Sequence, residues 1–131
     1  MQEILPQLLE MQVDTIVITM SKPKAIESFL REYPQPFPLY GNPSLTLYIA
    51  VGFGRTSWLN FFRPTVVWKY LKMIFQGFRV RAIAEGEDAL QLGGDLLFSP
   101  EAGIEWCYAS KDAVDRPSNE EILMISRAQA K

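Results

Sequence analysis

The chain has 131 residues, 48% of them hydrophobic, and a formal charge of -2, which predicts a single domain over 1–131 that buries roughly two-thirds of its unfolded surface. With no histidine and one cysteine, the sequence excludes Ser-His-Asp and Cys-His catalysis, the usual zinc ligand sets, an intramolecular disulfide and a C-x-x-C site within these residues. No apolar run approaches the roughly 20 residues of a membrane-spanning helix, and Glu3, Glu10 and Asp14 stand where a secretory signal would be basic; a cytoplasmic location is expected.

Residues 2–11 have helical spacing at Ile4, Leu8, Leu9 and Met11, with Pro6 confined to the first turn. Val13 to Met20 is rich in β-branched residues and predicts a strand buried on both faces. A helix follows from Pro23, near its first position, to Glu32, with Ala25, Ile26, Phe29 and Leu30 on its apolar face. Three prolines in Tyr33 to Tyr40 predict extended chain, with at most a short edge pairing at Phe37 to Tyr40. Ser44 to Val51 is predicted as a short helix stopped by Gly52.

Residues 55–81 carry Arg55, Arg63, Lys69, Lys72, Arg79 and Arg81 with no acid, a charge of +6 that leaves -8 for the rest. Within this basic, aromatic segment, Pro64 opens a helix to about Phe75, with Gly77 as its stop. Only Thr65, Lys69, Lys72 and Gln76 share a polar side, an unusually wide apolar face. Packing on the sheet or a homodimer contact accounts for such a face; so does a membrane-surface contact, because basic residues with bulky aromatics suit the headgroup boundary. The acidic overall balance and the lack of a recognised module argue against nucleic acid.

Leu92 to Phe98 and Ile104 to Ser110 are predicted strands joined by the turn Ser99-Pro100-Glu101-Ala102-Gly103. In the second, Ile104, Trp106 and Tyr108 alternate with Glu105, Cys107 and Ala109. Cys107 reads as a buried or half-buried structural thiol, since a redox role needs a cation or helix N-terminus beside it and the sequence offers neither. Gly93-Gly94 serves either close substrate approach or a backbone turn. Asp115 and Arg116 are solvated loop charges or a loop brace. Ser118 with Glu121 forms a capping box that opens the last helix, with acids at its positive end.

The run QLGGDLLFSPEAGIEWCYASKDAVDRPSNEEIL, together with PFPLYGNPSLTLYIAVG, resembles the AhpC/TSA peroxiredoxin-like proteins of the prostamide synthase-like group, over about residues 13–52 and 91–123. The resemblance implies an α/β fold, a thioredoxin-like mixed sheet flanked by helices. It also implies thiol-dependent antioxidant chemistry with a thiol reductant as partner, and no metal or cofactor. In such relatives a strand delivers a C-x-x-C-type motif to a helix N-terminus, and residues 1–11 match the later part of that helix. The preceding strand and its cysteines are not in this sequence, and no Pro-x-x-x-Thr-x-x-Cys signature occurs, so no catalytic residue is assigned and the chain is expected to be inactive. The fold is thus expected to be N-terminally abbreviated, with a natural product that starts upstream. In the resembled fold the missing strand lies between the equivalents of residues 13–20 and 95–99; otherwise these two strands pair directly, or a second chain fills the gap.

Overall fold

The computed structural model describes residues 2–77 and 87–129. A 3-10 turn, Gln2–Ile4, leads into α1, Leu5–Glu10, with Pro6 in its first turn as expected. Ile4 and Leu8 are buried, whereas Leu9 faces solvent. Val13 to Met20 contributes only β1, Val17–Thr19, and its side chains are half-buried. The expected doubly buried strand over Val13 to Met20 is therefore corrected: Ile16 is 56% exposed, and among the described residues β1 pairs only with a single strand.

Helix α2, Pro23–Glu32, forms as predicted, with Ile26 as its buried anchor. Strand β2, Leu39–Gly41, runs parallel to β1 in the register Val17 to Leu39, Ile18 to Tyr40 and Thr19 to Gly41. The edge pairing thus lies slightly later in the chain than Phe37 to Tyr40, because Pro38 can contribute only its carbonyl, which accepts from the Val17 N–H at 3.0 Å. Helix α3, Thr46–Ala50, begins where the Asn42 side chain accepts the Leu47 N–H at 3.1 Å. A short helix not foreseen from the sequence, α4, Trp58–Phe61, precedes α5, Pro64–Phe75. Gly52 and Gly77 follow α3 and α5 with left-handed φ of 75° and 86°, the conformation glycine tolerates best.

The closing hairpin pairs β3, Gly94–Ser99, antiparallel with β4, Gly103–Ala109, and a bulge after Leu97 sets Phe98 opposite Ile104. The bulge moves Ile104 out of the alternation with Trp106 and Tyr108: it is 52% exposed, while those two are half-buried. Before β3, Gln91 bridges to Arg55, and the Leu92 N–H donates to Gly54 O at 3.0 Å. Helix α6, Asn119–Gln129, is capped as the sequence indicates, the Glu121 N–H donating to Ser118 Oγ at 3.1 Å.

The architecture is α/β with one parallel and one antiparallel ladder, but the described strands form two separate two-stranded sheets, β1-β2 and β3-β4. The option that β1 and β3 pair directly is not realised. Among the described residues each has a single partner strand, and the chain exposes 9491 Å², where roughly 7,000 Å² is usual for its mass. About 56% of the extended-chain surface is buried, short of the two-thirds expected from length.

Candidate functional site

The seam between the sheets is filled by side chains. Main-chain groups of Val17 and Thr19 face β2, through Val17 N to Pro38 O at 3.0 Å and Asn42 N to Thr19 O at 2.6 Å, so those of Ile18 face away. There Tyr48, buried on α3, donates its hydroxyl to Ile18 O at 3.0 Å. Its ring meets Phe53 edge-on, with centroids 6.0 Å apart. Burial pushes the Tyr48 phenol above its ordinary pKa, against the pull of Arg116 and with a smaller push from Glu87.

Phe53 explains one half of the diglycine. A Cβ on Gly94 would overlap the Tyr108 carbonyl oxygen and stand 2.6 Å from Phe53 Cε1, whereas one on Gly93 would meet only Arg116 Nη2 at 3.7 Å and Tyr48 Cε1 at 3.9 Å. Gly94 is therefore required by packing inside the protein, and Gly93 is the position with room.

Asp95, Ser110, Asp115 and Arg116 gather beside this seam. Asp95 Oδ2 is buried without a hydrogen-bond partner among the described residues. Burial holds the Asp95 carboxyl above the usual carboxylate range, opposed by the positive charge of Arg116. Arg116 donates to Ser110 Oγ and, at 3.0 Å, to the Asp115 carbonyl. Asp115 accepts from the Lys111 N–H and the Tyr108 hydroxyl, both at 2.8 Å; the Lys111 bond foremost lowers its pKa, opposed by burial and helped by the Tyr108 bond. The pair is a brace that ties the loop to β4. Tyr48, Asp95 and the buried Gln91 escaped the sequence reading because no local motif marks them: their roles arise from contacts with residues distant in the chain. The cluster offers donors and acceptors to a polar ligand but no nucleophilic thiol.

Cys107 lies elsewhere. It pairs with Leu96 in the middle of β4 and is exposed, which corrects the expectation of a buried or half-buried thiol. The neighbouring outward positions Ala109 and Ile104 are exposed as well, so this face of β4 is open among the described residues. Its place within a strand, twelve residues before α6 begins, gives it no helix N-terminus to favour a thiolate.

An open cleft of about 410 Å³ lies between the β1-β2 ladder and α2, with Val17, Ile26, Phe29 and Leu39 on its walls. Ser21 donates to Glu87 at one end, and Thr19 Oγ1 lies 3.1 Å from Ser21 Oγ. Among the described residues no three His, Cys, Asp or Glu side chains are grouped to hold a metal ion.

Within the basic, aromatic segment, Trp58–Phe61 and Pro64–Phe75 form a pair of helices. On α5 only Val66 is buried, with Tyr70 and Met73 half-buried on the same stripe. Of the alternatives for the wide apolar face, packing on the sheet is not realised among the described residues: Trp68 is 70% and Phe75 87% exposed. The described strands form only two-stranded sheets, a small platform for so wide a face. Arg79 and Arg81 lie outside the described residues, and no helix among those described is long and apolar enough to cross a membrane.

A family model described as AhpC/TSA antioxidant enzyme matches residues 1–112. Neither the curated proteins nor the solved structures contain a match to the chain.

Proposed function

Since the chain belongs to the AhpC/TSA antioxidant enzyme family, we propose that it is a peroxiredoxin-like, thiol-dependent antioxidant member whose 131 residues supply scaffold and not the peroxide-attacking thiol. In thiol-dependent peroxide reduction the thiolate sulfur attacks a peroxide oxygen and the O–O bond breaks. The departing alkoxide takes a proton, and two equivalents of thiol then reduce the sulfenic acid to thiol, releasing water and a disulfide. Such attack needs a stabilised thiolate. The observation that carries the reading is the position of Cys107, exposed in mid-strand opposite Leu96.

Peroxide consumption in the presence of excess dithiothreitol should equal that of the reductant alone, and Cys107→Ser should change nothing. Catalytic turnover that disappears in Cys107→Ser would refute the proposal. A second reading, an interaction surface on α4 and α5, is favoured by the 82% exposure of Leu59 and 75% of Phe62 beside the exposed aromatics of α5.

A further inference from the structure

We propose that α4 and α5 form a platform that lies flat on an anionic lipid surface, an inference that rests on the interaction reading of this helix pair. Helix α5 is amphipathic in an unusual sense. Its inward stripe is Val66, Tyr70 and Met73. At 100° per residue the exposed Ile74, Val67, Leu71, Phe75 and Trp68 then span an arc about 120° wide, and Thr65, Lys69, Lys72 and Gln76 form a polar flank next to it. So the apolar arc is turned to solvent, with basic residues along its border. Leu59 and Phe62 extend the apolar surface at the α4 end.

Charge selects the occupant. Residues 55–77 contain four cations and no acid. Arg55 is neutralised by Asp88 at 2.6 Å and Lys69 by Asp112 at 3.2 Å, which leaves Arg63 and Lys72 without an acidic partner among the described residues. Lys72 follows Trp68 by one helical turn, so indole and ammonium share one border, the arrangement that suits an indole at headgroup depth with a cation reaching phosphate. A second copy of the chain would bring an identical patch with the same positive flank and no acid to meet it. An anionic bilayer supplies both an apolar layer for the arc and negative charge for its border.

The test is co-sedimentation of the full chain with vesicles of phosphatidylcholine alone and of phosphatidylcholine with about one-quarter phosphatidylserine, together with light scattering of the free protein. Binding to the anionic vesicles is expected to be at least about tenfold stronger, to fall with salt, and to drop about tenfold or more in Arg63→Glu/Lys72→Glu. Leu59→Ser/Phe75→Ser alters two side chains more than 80% exposed, so it should leave folding intact by circular dichroism and still abolish binding. Equal binding to both vesicle types, insensitive to the charge reversal, would defeat the anionic inference while keeping an apolar interaction surface. A dimer dissociated by Leu59→Ser/Phe75→Ser would assign the face to a second copy and overturn the lipid proposal. A monomer that binds neither vesicle would overturn the proposal and remove the support for the interaction reading.

Discussion

Asp95 is half-buried with one carboxylate oxygen unpaired among the described residues, and its pKa is raised because burial outweighs the attraction of Arg116. A raised folded-state pKa means that the native protein binds this proton more tightly than the unfolded chain does. The group's contribution is most favourable below the unfolded carboxylate pKa of about 3.9 and declines as pH rises through the higher folded value. Asp95→Asn removes that decline. In urea denaturation the variant should be more stable than the parent at about pH 7, with the gap closing towards about pH 3. A variant less stable at neutral pH would show that the Arg116 attraction outweighs burial. Asp115 acts in the opposite sense: its lowered pKa gives stability that is lost as pH falls through the folded value, and it is common to both proteins in the comparison.

At the scale of elements, the helices were legible and the strands less so. Pro23 and Pro64 mark the starts of α2 and α5, and Ser118 caps α6; each signal acts within one or two turns of its own residue. Ser118→Ala should cost about 1 kcal/mol in denaturant unfolding, and an unchanged midpoint would deny the cap that role. Strand limits depend on partners instead. Val13 to Ile16 has the β-branched composition of a strand but no partner strand among the described residues, where β1 spans Val17–Thr19. The bulge after Leu97 likewise turned Ile104 outward, which no alternation pattern could announce. The candidate polar cluster was half legible: Asp115, Arg116 and the diglycine stood out as local features, while Tyr48 and Asp95 gained their roles only from neighbours across the fold.

For the whole molecule, the seam between the two sheets is the governing feature. With neither β1 nor β3 paired across it, Tyr48 holds the seam from the side, reaching from α3 to Ile18 O while its ring touches Phe53 near Gly94. Tyr48→Phe keeps the ring and strips the carbonyl of its partner, for which a loss of about 1–3 kcal/mol is expected. Undiminished stability in urea would show that water satisfies Ile18 O equally well and that the seam is wet. The exposed surface of 9491 Å² is large for a chain of this mass, and the aromatics of α4 and α5 contribute to it. By itself the sequence determined the family, the helix starts and stops, the closing hairpin and the lack of histidine chemistry, because each is written in local spacing or composition. Only the tertiary structure decided that Cys107 is exposed, that Gly94 is a packing requirement and that the apolar arc of α5 faces outward, because burial is a property of what lies opposite a residue in space.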